Sequence, residues 1–185
     1  MKIFFSCVCL LFAVALCPAQ GNLTNSRVAS KPDLSGTWQL DFSSSEFGSS
    51  KRDLAYDKMT LIIFHRDPEF RIIRKWGNGK KEYSTDLLYY TDGRGETNLP
   101  WGDKNSVNKS TTKWDGDRLF SNGTLSTNIF VDVLVSKSTD KWEISTDKNI
   151  LICHSYIAAP RSTSSNPTVI MVGDTNVKKV FKRVK

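Results

Sequence analysis

The chain has 185 residues, 24% of them charged, and a formal net charge of +7. That length supports one core of ordinary size, and past the first twenty positions no run approaches the ~20 consecutive apolar residues of a membrane-spanning helix. With two histidines and four cysteines, a His-rich metal tract and a dense disulfide framework are both excluded.

Met1-Lys2 precedes the apolar run IFFSCVCLLFAVALC and then small residues, the layout of a secretory signal peptide over residues 1–19. Cleavage after Ala19 places Cys17 and Ala19 at the two small-residue positions that a signal peptidase needs. A bacterial lipoprotein anchor at Cys17 is the competing reading, disfavoured because Leu16 is bulky where that processing takes a small residue. The expectation is an exported protein, secreted or periplasmic, without a transmembrane segment. Loss of the signal removes Cys7, Cys9 and Cys17, so Cys153 has no partner for an internal disulfide. It reads as a small buried hydrophobe on a strand, with a reactive or intermolecular thiol as the alternative.

Residues 20–33 are polar, lack a hydrophobic period and read as a disordered leader. A single all-β domain is expected over 34–185, because period-two alternation dominates and no helical stripe stands out. The first strand, 37–42, puts Trp38, Leu40 and Phe42 on one face. A Ser/Gly-rich loop, 43–57, follows, long enough to be functional, with Phe47, Leu54 and Tyr56 available for packing and room for a short helical turn. Further strands are read at 58–65, 69–76, 81–90, 95–99 (weak), 105–114, 118–126, 129–137, 141–145, 150–157 and 177–184. Asp92-Gly93 and Asp115-Gly116 suit two-residue type I′ hairpins, and DPEF at 67, STDK at 138 and TDKN at 146 suit short turns. Residues 158–176 break the rhythm, either holding a short strand at 168–172 or hanging loose. A meander of this kind leaves an exposed edge unless it closes, so an antiparallel up-and-down β-barrel of about 8–10 strands is predicted.

Gly36-Thr37-Trp38 at the start of the first strand, the long loop after it, the hairpin meander and a basic last strand together resemble a lipocalin-type barrel of the calycin superfamily. The order SGTWQLD, DGDRL, DKWEIS, VFKR is similar to that of small exported lipocalin-like proteins, mostly bacterial. The resemblance implies that Trp38 closes one end of the barrel, that Gly36 makes room for it, and that a cation from the last strand lies across the indole. Arg183 is the candidate cation and Lys182 the reserve.

A barrel of this size holds one small ligand. Phe70, Ile72 and Trp76 share one face, as do Ile129, Val131, Val133 and Val135, and both sets are expected inside. On strand 105–114 one face carries Ser106, Asn108, Ser110, Thr112 and Trp114. Either that face is inward and gives the cavity a polar wall beside an apolar one, or both faces are solvated at a rim. A glycan on the sequon at Asn108 would require an outward side chain; Asn22 and Asn122 head two further sequons.

Catalysis finds little support, since His65 and His154 are the only histidines and no nucleophile elbow or zinc spacing is present. His65 reads as a solvated turn residue. His154 and Cys153 are strand neighbours and point to opposite faces. No metal and no cofactor is expected. The leading expectation is a monomeric binding protein for a small apolar or amphipathic molecule, contacted by Phe70, Ile72, Trp76, Ser110, Thr112, Trp114, Val131 and Val133, with the loop 43–57 as a cover. The alternative is a module binding an anionic surface polymer or envelope component through basic outer faces such as the tail VKKVFKRVK, without an internal ligand. No specific nucleic acid is expected as a partner, and a barrel-based hydrolase or isomerase trails.

Overall fold

The computed structural model describes residues 31–48, 56–102, 104–129, 132–163 and 173–185. Its strands in chain order are β1 Gly36–Leu40, β2 Lys58–Arg66, β3 Glu69–Gly77, β4 Glu82–Tyr90, β5 Glu96–Asn98, β6 Ser106–Asp115, β7 Arg118–Ile129, β8 Asp132–Ile144, β9 Ile150–Ile157, β10 Arg161–Ser162 and β11 Thr175–Arg183. A 3-10 turn, Phe42–Ser44, follows β1, capped by the Asp41 side chain, which accepts from Ser43 N–H. Among the described residues there is no α-helix, and none long and apolar enough to cross a membrane.

All the pairings are antiparallel, in the order β4-β3-β2-β1-β11-β9-β8-β7-β6-β5, with β10 added to the part of β8 that β9 does not reach. The first and last strands are neighbours, with Trp38 opposite Arg183 and Leu40 opposite Phe181. The sheet thus curls into a nearly closed barrel, the architecture expected from the alternation.

Closure fails to be complete at one seam, between β4 and β5, where no backbone ladder forms. Side chains bridge it instead. The Asn98 amide accepts from Leu88 N–H and donates to Leu88 C=O, both at 2.8 Å, standing in for a missing peptide group. Thr85 Oγ1 donates to Leu99 C=O at 3.0 Å, and Glu96 Oε2 accepts from Tyr90 N–H at 3.3 Å. The Asp92-Gly93 pair is therefore not a two-residue hairpin: it sits in a five-residue connection, with Gly93 at φ 80° and Gly95 at φ 89°. The β6–β7 hairpin is also shifted by one residue. Its central pair is Gly116-Asp117, and only Gly116, at φ 61°, takes a positive φ, which excludes type I′.

Two other expectations change, those for STDK at 138 and for His65. The predicted turn STDK at 138 is continuous strand, so the segments read at 129–137 and 141–145 are largely one strand, β8, joined to β7 around residues 130–131, which lie outside the described residues. Residues 168–172 also lie outside, and the short strand seen after β9 is Arg161–Ser162. His65 is not a solvated turn residue; its side chain is 6% exposed.

The registers fix which side chains face inward. Starting from fully buried Trp38, alternate residues point in on every strand: Met59, Leu61, Ile63 and His65 on β2; Phe70, Ile72, Arg74 and Trp76 on β3; Thr85, Leu87 and Tyr89 on β4. On the other half they are Glu96 and Asn98; Ser106 to Trp114; Leu119 and Ser121; Asp132, Leu134, Ser136, Ser138, Asp140 and Trp142; Leu151, Cys153 and Ser155; and Val177, Lys179, Phe181 and Arg183. The core lies toward the Trp38 end, where Leu34, Trp38, Phe70, Leu119, Leu151 and Phe181 are at most 1% exposed. Each such aromatic or aliphatic side chain contributes about 1.5–3 kcal/mol by leaving water.

Candidate functional site: the barrel interior

One end of the barrel is sealed. The Trp38 indole donates to Leu34 C=O at 3.1 Å, and the Arg183 guanidinium carbon lies 4.2 Å from the ring centre. Arg183 also donates to Ser35 C=O at 2.9 Å and to Lys148 C=O at 2.7 Å, binding the start and end of the domain to the β8–β9 turn. Gly36, at φ 139°, has no Cβ because one built there would collide with Arg183 Nη1. The glycine makes room for the guanidinium over the indole. Lys182, one residue earlier, points outward and pairs with Asp41 at 2.7 Å.

A second network closes the same end from the β2–β3 turn. The His65 ring packs edge-on against Phe70, centroids 5.7 Å apart, and lies tilted against Trp114 at 5.6 Å. Its Nε2 lies 3.1 Å from Asp67 Oδ1, and Nδ1 accepts from Leu34 N–H at 3.3 Å. Asp67 also accepts from Thr91, Lys31 and Trp114 Nε1. Burial acts to raise its pKa, but these hydrogen bonds outweigh burial and hold the carboxyl well below the usual carboxylate range.

Above this floor the interior has two unlike halves. β1 to β4 contribute Leu40, Met59, Leu61, Ile72, Trp76 and Leu87, each no more than 5% exposed. β5 to β9 contribute Asn98, Ser106, Ser110, Thr112, Ser121 and Ser136, all buried. The hydroxyls of Ser110 and Thr112 both donate to Glu96 Oε1 at 2.7 Å. Of the two readings of strand 105–114, the inward polar wall is the one observed. Gly123 on β7 permits it, since a Cβ there would meet Asn108 Oδ1 at 2.8 Å and Lys109 C=O at 2.9 Å. Asn108 therefore faces inward, its Oδ1 buried, whereas Asn122 is exposed on the outer face. Asn22 lies outside the described residues.

Charged side chains project into this interior from opposite walls. Asp140 on β8 accepts from Ser155 Oγ at 2.5 Å and feels the charges of Lys179 on β11 and Arg74 on β3. Burial pushes its carboxyl up, and the Ser155 bond and the two cations only partly offset that. The same enclosure pushes the Cys153 thiol and the Tyr89 phenol up, in both cases reinforced by the Asp140 charge. Arg74 lies between two indoles, its guanidinium carbon 4.7 Å from the Trp76 ring centre and 5.1 Å from that of Trp101, and donates to Pro100 C=O. Trp76 stacks on Tyr83 with centroids 5.8 Å apart, and Tyr56 meets both rings edge-on. This end is therefore rimmed by aromatic rings.

Asp140, Lys179, Ser138 and Ser155 all point inward yet retain solvent-accessible surface, as do Leu125, Thr127 and Ile157. The Trp38 end, by contrast, is filled. The accessible inward-facing residues thus belong to β7, β8, β9 and β11, away from the packed Trp38 end.

Two clefts lie on the outside. One of about 620 Å³ is lined by Gln39, Asp57, Lys58, Lys75, Trp76, Lys80, Lys81 and Glu82 near the rim. Another of about 600 Å³ runs over the seam, between Leu88, Tyr90, Glu96, Lys109 and Thr111.

The residues expected to bind ligand divide accordingly. Ile72, Trp76, Ser110 and Thr112 face inward and are buried, Thr112 at 1% exposure. Phe70 and Trp114 face inward too, but they pack into the floor, Phe70 against Tyr89 and Trp142 at 5.9 and 6.0 Å. Val133 is a correction: it belongs to the outer face with Val135, while Asp132, Leu134 and Ser136 are the buried residues of that segment. The alternation there was read in the wrong frame because Leu134 is as apolar as its neighbours and the interior on that side is polar. Val131 lies outside the described residues. The loop proposed as a cover packs Phe47 into the core and pairs Glu46 with Lys178; residues 49–55 lie outside the described residues.

Sequence reasoning missed Arg74, Lys179, Asp140, Glu96 and Asn98. The signal for the cations was present, because Arg74 shares parity with Ile72 and Trp76, and Lys179 with Val177 and Phe181. No protein-family model matches the chain, and no curated protein matches it.

Proposed function

We propose that this is an exported lipocalin-like binding protein of the calycin type that carries one small apolar or amphipathic molecule in the hollow of its barrel. The observation carrying this reading is the pairing of a sealed Trp38 end with inward-facing residues on β7, β8, β9 and β11 that retain accessible surface, apolar Leu125 and Ile157 beside Thr127, Ser138 and Ser155. Such a lining fixes the orientation of a small molecule while burying most of it. Among the described residues, the surroundings of Cys153 and His65 favour binding over catalysis. The Cys153 thiol is pushed toward its protonated form, and the His65 ring is tied into the floor.

A second reading has its own support. The cleft of about 620 Å³ beside the rim gathers Lys58, Lys75, Lys80 and Lys81 around Gln39 and Trp76, a surface suited to an anionic polymer. Native mass spectrometry of the protein purified from its own source separates the two. A retained small molecule, released on unfolding, supports the hollow. An empty protein that binds anionic polymers in a salt-dependent way supports the cleft.

A further inference from the structure

We infer, building on the second reading above, that the outer cleft beside the rim takes an acidic polysaccharide, a chain carrying carboxylates and free hydroxyls together. This narrows the occupant from any anionic polymer to an acidic glycan and is independent of what the barrel interior holds.

The cleft is built on the outer faces of three neighbouring strands. Gln39 on β1, Lys58 on β2 and Lys75 on β3 face outward, since their chain neighbours Trp38, Met59 and Trp76 point in. The Gln39 amide donates to Met59 C=O at 3.1 Å and accepts from Thr60 Oγ1 at 3.0 Å, which fixes it in place. The β3–β4 turn supplies the remaining lining. Its Asn78 side chain accepts from Lys80 N–H at 3.3 Å and from Lys81 N–H at 3.2 Å, and Asn78 N–H donates to Lys81 C=O at 3.2 Å. Asp57 N–H donates to Gly77 C=O at 3.0 Å, tying Asp57 to the base of that turn.

Six charged side chains line the cleft, the ammoniums of Lys58, Lys75, Lys80 and Lys81 and the carboxylates of Asp57 and Glu82, and all six residues are exposed. Elsewhere on the outer face opposite charges pair off, as Arg71 does with Asp86, Lys178 with Glu46 and Lys182 with Asp41. Among the described residues, none of the six cleft charges is in an ion pair. Donors and acceptors that share one concavity of about 620 Å³ yet stay apart are available to a bound molecule.

The cations outnumber the anions, so the occupant is anionic and lysine supplies its charge-assisted hydrogen bonds. A polyanion without donor groups would set its charges against Asp57 and Glu82. Sugar hydroxyls remove that conflict, because they donate to the carboxylates while the acidic groups of the same chain meet the ammoniums. Tyr83, next to Glu82, is 43% exposed, and its ring is backed by Trp76, with centroids 5.8 Å apart and planes 17° from parallel. A braced aromatic face of this kind suits the C–H face of a sugar ring. A concave cleft admits a stretch of linear chain, whereas a flat lipid surface would not reach its floor.

The test is calorimetric titration of the full chain with three probes. Hexagalacturonate has both groups, an acrylic acid hexamer has carboxylates without hydroxyls, and maltohexaose has hydroxyls without charge. Hexagalacturonate is expected to bind about tenfold or more tighter than either, with an affinity that falls as salt rises, since charge-assisted hydrogen bonds carry at least that discrimination. Lys80→Met combined with Lys81→Met should weaken hexagalacturonate about tenfold and leave the thermal midpoint unchanged. Asp57→Asn combined with Glu82→Gln should strengthen the acrylate hexamer and fail to strengthen hexagalacturonate. If either variant fails to fold, the wild-type series decides. Equal affinity for the two anions, or equal strengthening of both by the carboxylate substitutions, overturns the inference and leaves a general polyanion site. Unchanged affinity in the lysine variant places the glycan elsewhere and overturns it, as does tighter binding of phosphatidylglycerol vesicles than of hexagalacturonate. Failure of every anion to bind overturns the polymer reading of the cleft as well.

Discussion

Arg183, at the end of the last strand, lies with its guanidinium carbon 4.2 Å from the centre of the Trp38 indole, at the start of the first. The contact joins the two ends of the domain where the barrel is sealed. Arg183 makes two carbonyl hydrogen bonds besides, so it both covers the ring and stitches three chain segments. Trp38→Ala should cost about 3–5 kcal/mol, as truncation of a fully buried aromatic does. Arg183→Met should cost about 2 kcal/mol through the lost stack and hydrogen bonds. Lys182→Met, on the outer face, should leave the urea midpoint unchanged. Equal effects of Arg183→Met and Lys182→Met would contradict the assignment.

Gly36 is tied to the same contact. Its φ of 139° is one that side-chain-bearing residues rarely adopt, and a Cβ would run into Arg183. Gly36→Ala should destabilise by about 1–3 kcal/mol. Combining it with Arg183→Met should cost less than the sum, because removing the guanidinium relieves the collision but not the backbone strain. Strict additivity in a denaturation cycle would show that the two residues do not compete for that space.

The seam makes a separate prediction. Asn98 supplies both hydrogen bonds that the Leu88 peptide would otherwise receive from a neighbouring strand. Asn98→Ala leaves that peptide unpaired beside a buried site and should cost about 1–3 kcal/mol. Amide exchange should accelerate at Leu88 and along β4 and β5, while Trp38 and Phe181 keep their protection. Uniform acceleration across the barrel would mean that the seam is not a local weak point.

Asp140 predicts a pH dependence. Burial raises its carboxyl above the unfolded value of about 3.9. The group therefore contributes stability that is fully present below the unfolded pKa and is lost as pH rises through the folded one. Facing it are Ser155 and Cys153 from β9, Lys179 from β11, Arg74 from β3 and Tyr89 from β4. The Cys153 and Tyr89 groups are pushed up, away from the acid range. Asp140→Asn should thus be more stable, relative to wild type, at about pH 8 than at about pH 4. Asp67, whose carboxyl is lowered, acts in the opposite sense: its contribution is present above the unfolded value and is lost as pH falls through the folded one. Comparing wild type with Asp140→Asn cancels that background. A gap independent of pH would place Asp140 in an ordinary solvated setting.

The outline of the barrel was legible because its apolar half obeys simple alternation. Trp38, Leu40, Ile72 and Trp76 lie on faces that the alternation marks as inward. The other half was not, since its inward residues are Ser, Thr, Asn, Asp and Glu, the same types that mark turns. STDK at 138 reads as a turn for that reason, yet Ser138 and Asp140 are on the inner stripe of β8. His65 was misplaced because burial of a turn histidine depends on Trp114 and Phe70, far along the chain or across the sheet. The seam was beyond reach: whether an Asn side chain replaces a peptide group depends on how far β5 stands from β4, which no local pattern encodes.

The central claim is that ligand enters the hollow. It is tested most directly by amide chemical-shift mapping during titration with dodecanoate. The account predicts perturbations at the inward-facing Ile72, Thr112, Ser121, Cys153 and Lys179, with their outward neighbours Ile73, Lys113 and Asn122 much less affected. Shifts confined to Lys58, Lys75, Lys80 and Lys81 on the outer cleft, with the inner wall silent, would contradict it.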